Sequence, residues 1–275
     1  MPIMSDERIA FIGAGNMARA LIGGLLAAGH EPGRIAAADP IGDQRRQVAE
    51  DYGIDVHEDN AAAARAAGVV VLAVKPQVID AVLESLSGRI PENTLTISVA
   101  AGIPIATIRA GLGADRPVIR AMPNTPALFG AGVTGLLAGP GVDEHQRGQC
   151  EDLFAAAGKV VWIEDEALMD VVTAVSGSGP AYFFALAEAL AEAGSRAGLP
   201  AESSRALAVQ TAVGAGVMLA EAGQGPAELR RRVTSPGGTT AAALEQLSHD
   251  EFAEIIDRAV QAAVRRGRDL GGGDG

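Results

Sequence analysis

The sequence is short of the side chains that most often carry chemistry. Its 275 residues include one cysteine, Cys150, four histidines, and two lysines, Lys75 and Lys159. A single cysteine excludes an internal disulfide, and a lone thiol fits a reducing compartment. The residues around Cys150 read as helix, which makes it a packing residue. No cysteine–histidine cluster is present, so no metal is expected. His30, His57, His145 and His249 lie outside every motif described below. They read as surface or capping histidines, not catalysts. Positive charge is scarce too: 22 lysines and arginines face 34 acidic residues, a net charge of −12. Such a surface argues against nucleic-acid and anionic-membrane partners. It still allows an anionic cofactor, held by helix N-termini and local arginines. Long apolar runs are also missing. Residues 171–190 come nearest, but Ser176, Gly177, Ser178, Gly179 and Pro180 break them and Glu188 adds a charge. No membrane span is expected. Residues 1–7 show no basic stretch followed by an apolar one, so the expected location is cytoplasmic. The glycine-rich tail from Gly271 is expected to be disordered.

Apolar residues and glycine are plentiful, at 48% of the chain and 35 glycines. The length suits two domains better than one. The most informative stretch is Arg8 to Ala18. An apolar run, Ile9 to Ile12, enters a turn at Gly13, Ala14 and Gly15, and a helical pattern follows at once. Gly13 permits the tight turn, Gly15 lets backbone approach a pyrophosphate, and Ala18 lets helix and strand pack closely. N–H groups at the helix start would face the phosphates. A glycine triplet alone also fits an ordinary strand–helix turn. The strand before it and the helix after it favour dinucleotide binding.

Arg34 to Ala38 reads as a second strand. Asp39 follows Gly13 by 26 positions, near where an acidic side chain bonds the ribose 2′-hydroxyl of NAD. Arg45 and Arg46 either hold a 2′-phosphate or form a solvated helix face, which leaves the choice of cofactor open. A helix over 43–52 and a short strand over 54–56 come next. Asp59 and Asn60 look like a cap before an alanine run. Residues 69–74 are all apolar, as in a strand buried on both faces. They end at Lys75 and Pro76, outside the carboxyl end of a strand, where doubly wound sheets bind ligands. Lys75 is equally readable as a solvent-facing loop residue. Strand 95–99 leads to Ala100 and Ala101. Strand 118–122 leads to Pro123, Asn124, Thr125 and Pro126, and the two prolines predict a rigid, non-helical segment. Strands over 133–137 and 159–163 flank a helix over 143–157. Residues 1–163 therefore read as one βα-alternating domain.

From Asp165 the pattern is helical, with no strand expected. Helices are predicted over 166–175, 180–196, 201–221, 226–232, 239–247 and 250–267. The long pair is rich in alanine and glycine, and so apolar a helical half suits an oligomer interface. Two stretches interrupt it. One is Ala174 to Tyr182. The other is Val233 to Thr240, where Gly237 and Gly238 precede a helix start that could cradle a carboxylate. The plainer alternative is a capping loop with Ser235 or Thr239 as N-cap.

Five motifs occur in order: Ile12–Met17, Ala73–Pro76, Met122–Pro126, Ser176–Tyr182 and Thr234–Thr240. Together they make the chain resemble the pyrroline-5-carboxylate reductase family along essentially its full length. The last two motifs are highly specific to that family and the first is not. The resemblance implies an α/β fold: an N-terminal Rossmann dinucleotide-binding domain, 1–163, and an all-helical C-terminal dimerisation and substrate domain, 164–275. It implies NAD(P)H-dependent reduction of L-1-pyrroline-5-carboxylate to L-proline, the last step of proline biosynthesis. It also implies an interlocked homodimer, often assembled to a decamer.

The implied roles follow the motifs. Ile12, Gly13, Ala14, Gly15, Asn16 and Met17 would bind the cofactor pyrophosphate. Asn60, Ala73, Val74, Lys75 and Pro76 would line the adenosine and ribose side. Ala100, Ala101, Met122, Pro123 and Asn124 would lie near the nicotinamide. Ser235, Gly238 and Thr239 would grip the substrate carboxylate, and Thr240 would hydrogen-bond the ring nitrogen as the catalytic residue. Family members mostly use NADP(H), many also NAD(H). Asp39 departs from the small polar or basic residue expected for firm NADP preference. Two other classes compete. A β-hydroxyacid dehydrogenase needs a lysine on the first long helix of its second domain, and no lysine follows Lys159. A non-catalytic dinucleotide sensor would not need the 234–240 loop.

Overall fold

The computed structural model describes residues 7–271. The first six residues and most of the glycine tail lie outside it. Eight strands form one sheet: β1 (Ile9–Ile12), β2 (Ile35–Ala38), β3 (Asp55–His57), β4 (Val69–Leu72), β5 (Leu95–Ser98), β6 (Val118–Met122), β7 (Gly132–Ala138) and β8 (Gly158–Trp162). Their order is β3-β2-β1-β4-β5-β6-β7-β8, and β1 to β6 run parallel. The connecting helices are α1 (Asn16–Ala27), α2 (Gly42–Tyr52), α3 (Asn60–Ala64), α4 (Ile79–Leu86), α5 (Ile105–Leu112) and α6 (Glu144–Ala155).

Period-two patterning explains the layers. Ile9 and Phe11 of β1 join one apolar core, with Leu21 and Leu25 of α1 and Leu153 and Phe154 of α6. Ala10 and Ile12 face the other way, into a second core built from α3, α4 and α5. Every residue of β4 is buried, as expected of a strand covered on both faces. The strand is two residues shorter than its apolar run, because Pro76 already opens a 3-10 turn, Pro76–Val78. Cys150 lies fully buried in α6, and burial raises its thiol pKa well above the usual range, with Glu151 adding to the shift. His30 is buried and closes α1. Its N–H donates to Leu25 O at 3.0 Å, and the Gly29 N–H donates to Leu26 O at 3.1 Å.

Two local expectations need correction. The segment after β6 is not free of helix: Thr125–Phe129 forms a 3-10 helix with Pro126 in its first turn. No crossover helix of useful length fits there, so β7 returns antiparallel to β6. The second correction concerns 174–182. Helicity is not lost; it passes through a π-helical segment, Thr173–Gly177, between α7 (Met169–Val172) and α8 (Gly179–Arg196). The wider π turn takes in Gly177, and Gly179 and Pro180 fall in the first turn of α8, where a proline is tolerated.

After β8 the described residues contain helices and turns only. They continue with α9 (Ala201–Glu221), α10 (Pro226–Arg232), α11 (Thr239–His249) and α12 (Phe252–Leu270). By compactness the chain divides into one unit of Met1–Ser178 with Ala263–Gly275, and another of Gly179–Ala262. In the first unit, Glu166 ties several elements together. Its Oε1 accepts from the N–H of Ile105, opening α5, and from Arg120 of β6, both at 2.9 Å. In the second, α8 and α9 meet closely, with Ser204 Oγ donating to Ala191 O at 2.6 Å. Large apolar side chains of these two helices stand in the open, Phe183 at 62% and Phe184 at 68% exposure. So much exposed apolar surface marks an interaction face. Among the described residues, no helix is long and apolar enough to cross a membrane.

Candidate functional site

The carboxyl ends of β1 to β6 lie along one sheet edge, and the first-half motifs all follow those ends. The order reverses between β1 and β4, and there the glycine turn lies. Gly13 sits at φ +99°, and its N–H donates to Ala38 O at 2.7 Å. A Cβ on Gly13 would lie 2.5 Å from Ala73 O. The motifs at 12–17 and 73–76 thus meet across the switch point. Gly15 is the N-cap of α1 at φ −74°, and no side chain caps the helix. A Cβ on Gly15 would project into space with no atom within 4 Å. Open room before uncapped N–H groups is what a pyrophosphate requires. These residues fit a dinucleotide.

Asp39 directly follows β2, and its carboxylate accepts from backbone on both oxygens. Oδ2 accepts from the Ala14 N–H at 3.0 Å and Oδ1 from the Ile41 N–H at 2.9 Å. It therefore braces the glycine turn, a role that the spacing did not suggest. Arg45 and Arg46 separate. Arg45 donates to Asp39 O at 2.6 Å and pairs with Glu58 at 3.3 Å, beside the end of β2. Arg46 pairs with Asp43 on an exposed helix face. Of the two readings, the solvated one fits Arg46, and Arg45 remains near the ribose position.

Asn60 opens α3, and its amide donates to Ser85 Oγ at 2.9 Å, while Asp59 is the cap. Lys75 is exposed beyond β4. Ala100 is buried after β5, and its N–H donates to Ser98 Oγ at 3.3 Å. Met122 ends β6, and Pro123 and Asn124 are buried. Glu166 and Arg120, which tie α5 to β6, carried no sequence signal, because the partner of each is far along the chain. A cavity of about 660 Å³ lined by Ile105, Arg109, Leu137, Gly139 and Glu166 holds none of the expected site residues. Its walls come from α5, the end of β7 and the residues just after β8, so the geometry of the sheet edge outweighs cavity size. Among the described residues, no group of three or more His, Cys, Asp or Glu side chains could hold a metal ion.

The other compact unit holds the 234–240 loop. Gly237 is at φ +68° and Gly238 is the N-cap of α11. No side chain caps that helix, so neither Ser235 nor Thr239 is its N-cap. Gly238 N–H instead donates to Ser235 O at 3.0 Å, and Thr234 Oγ1 donates back to Arg230 O at 2.6 Å. The N–H groups of Thr239 and Thr240 stand at an uncapped helix start with positive dipole. Thr239 and Ser235 are exposed and Thr240 half-buried beside them. The capping alternative for this loop therefore falls, and the start of α11 stays open.

Comparison with known proteins agrees with both halves. The family described as "Pyrroline-5-carboxylate reductase dimerisation" matches residues 166–270. That described as "NADP oxidoreductase coenzyme F420-dependent" matches residues 8–102. A pyrroline-5-carboxylate reductase of Pseudomonas aeruginosa is 49% identical over 267 residues, covering 97% of this chain and 98% of that protein. A solved pyrroline-5-carboxylate reductase of Coxiella burnetii superposes with TM-score 0.92 at 42% identity, covering 96% of this chain and 98% of that one. The Plasmodium falciparum enzyme, solved with NADP bound, gives TM-score 0.85 at 29% identity, covering 98% and 99%. A match at this identity over nearly the full length of both chains establishes that the chain belongs to the pyrroline-5-carboxylate reductase family.

Proposed function

We propose that this protein reduces the C=N bond of L-1-pyrroline-5-carboxylate to give L-proline, at the expense of NADPH or NADH. The observation that carries this reading is the uncapped start of α11 at the Thr234–Thr240 loop. Bound reduced nicotinamide supplies a hydride. The chain's own residues bind and orient. Ile12 to Met17 hold the pyrophosphate on the α1 N-terminus, with Asn60 and Ala73 to Pro76 along the adenosine side. Ala100, Ala101 and Met122 to Asn124 bound the nicotinamide end. Ser235, Gly238 and Thr239 hold the substrate carboxylate on helix N–H groups. Thr240 offers its hydroxyl to the ring nitrogen. An imine carbon accepts a hydride most readily once its nitrogen is protonated, and that proton arrives with the substrate. The site therefore needs positioning rather than a strong acid.

The division of labour follows the chain: residues 1–163 bind the dinucleotide, and 164–275 bind substrate and dimerise. The dimer is further proposed to assemble to a decamer in the cytoplasm. The test is a steady-state assay with pyrroline-5-carboxylate, run with NADPH and with NADH. Substrate-dependent oxidation of either is expected, and none with both would end the reductase reading.

Asp39 sets a second expectation. Its charge stands at the end of β2, where a 2′-phosphate would be repelled. Asp39→Ser should raise the NADPH/NADH ratio of kcat/KM roughly fivefold, as removal of about 1 kcal/mol of repulsion predicts. An unchanged ratio would mean that the carboxylate serves the Ala14 N–H alone.

A further inference from the structure

The π-helical segment next to the sheet edge has no part in the roles above. It carries the family-specific stretch from Ser176, and its geometry leaves one carbonyl in need of a donor. Within the segment the Ser178 N–H reaches back to Thr173 O at 2.8 Å, the five-residue spacing of a π turn. The residue four positions after Ser176 is Pro180, which has no N–H to give. The Ser176 hydroxyl does not help, since it donates to Val172 O at 2.9 Å.

The missing donor is Asn124. Its Nδ2 donates to Ser176 O at 3.1 Å, across 52 positions of chain. Its Oδ1 accepts from the Val133 N–H of β7 at 2.9 Å. The side chain is 92% buried, with 8% exposure, and the two partners fix which way the amide points. Each polar end of the amide thus has a backbone partner within the protein. Beside it, Met122 packs on the same segment: a Cβ on Gly177 would lie 2.5 Å from Met122 Cε. A Cβ there would push the end of the Met122 side chain aside. The end of β6, the start of β7 and the π turn are therefore locked together through one amide.

We propose that Asn124 is a positioning residue and not a cofactor ligand: by filling the carbonyl that Pro180 leaves open, it fixes the π turn and Met122 as a rigid wall beside the nicotinamide. The inference rests on the reductase reading, since it concerns the nicotinamide end of that site. An amide that only positions acts on the alignment of hydride transfer, where small displacements are costly. A cofactor ligand acts first on affinity.

Asn124→Asp is nearly isosteric. It keeps an acceptor for the Val133 N–H, loses the donor, and sets a carboxylate against the Ser176 carbonyl. The expected result is a fall in kcat on the order of tenfold to 100-fold, because slight misplacement at a reacting centre costs that much. NADPH affinity, read by quenching of nucleotide fluorescence without substrate, should change by less than about threefold. The isotope effect with 4-deuterated NADPH should rise, as hydride transfer becomes limiting. In Asn124→Ala, adding Pro180→Ala restores an N–H four residues after Ser176, and kcat should partly recover. That double variant also carries the test if Asn124→Asp does not fold. Weakened NADPH binding that accounts for the whole loss, with an unchanged isotope effect, would overturn the proposal and make Asn124 a direct ligand. Unchanged kcat in Asn124→Asp, or no recovery in the double variant, would overturn it as well. Wild-type protein without reductase activity would instead sink the reductase reading, which separates the two failures.

Discussion

Gly13→Ala is expected to weaken NADPH binding roughly 100-fold and to lower the melting temperature. Two costs combine. Alanine at φ +99° is strained, and its Cβ would meet Ala73 O at 2.5 Å. A strained backbone position costs about 1–3 kcal/mol, and an overlap with backbone cannot be relieved by turning a side chain. The β1 turn must then move away from β4, and the N–H groups of α1 move with it. Gly15→Ala provides the contrast. Gly15 has an ordinary φ of −74° and open space where a Cβ would go. The added methyl should occupy room that the pyrophosphate needs, and cost the fold only a weaker N-cap, about 0.5–1 kcal/mol. The first variant should therefore lose stability and affinity together, and the second mainly affinity. Calorimetric titration with NADPH and thermal melts of both would check this. Wild-type affinity in Gly13→Ala would remove the turn from the cradle.

The sheet edge was legible in the sequence because it is local. A strand, two glycines and a helix lie within twenty residues, and steric rules tie Gly13 and Gly15 to their places. The all-apolar run at 69–74 announced a central strand for the same reason. What stayed hidden depends on partners far along the chain. Asp39 has the spacing of a ribose ligand, and only the fold brings the Ala14 N–H to it at 3.0 Å. Glu166 reads as one acid among many until β6 and α5 arrive beside it. The direction of β7 is hidden as well, since apolar alternation is the same in parallel and antiparallel strands. Glycine and proline at 176–180 predicted a break. That inference assumes each backbone group must find its partner within the helix. Asn124 supplies one from outside, and the helix goes on.

The hidden contacts share a function in the fold: they hold the edges of neighbouring motifs in fixed relation. Asp39 joins β2 to the glycine turn, Glu166 joins β6 to α5, and Asn124 joins β7 to the π turn. Each is a polar side chain accepting from or donating to backbone. Such bonds are worth about 1 kcal/mol each on average, and more where breaking them leaves a buried group unpaired. Their larger effect is geometric, since they fix loops that would otherwise drift at the ligand edge.

Thr240→Ala is expected to lower kcat on the order of 100-fold while NADPH affinity stays within about twofold, the pattern of a group that acts as charge shifts in the transition state. Thr240 is the second residue of α11, half-buried, beside N–H groups that no side chain caps. A carboxylate held on those groups brings its own ring within reach of the hydroxyl at the next position. The ring nitrogen changes from protonated imine to amine during reduction, so its hydrogen bonding changes along the reaction. Removing the hydroxyl costs that differential interaction and leaves the carboxylate site intact. Thr240→Ser keeps the hydroxyl and should recover most of the turnover. Ser235→Ala should act differently, raising the substrate KM with a smaller effect on kcat, because a carboxylate is held equally before and after hydride transfer. If Thr240→Ala retained wild-type kcat, the hydroxyl would not touch the reacting nitrogen. The helix start of α11 would then orient the substrate without a side-chain contribution to the chemical step.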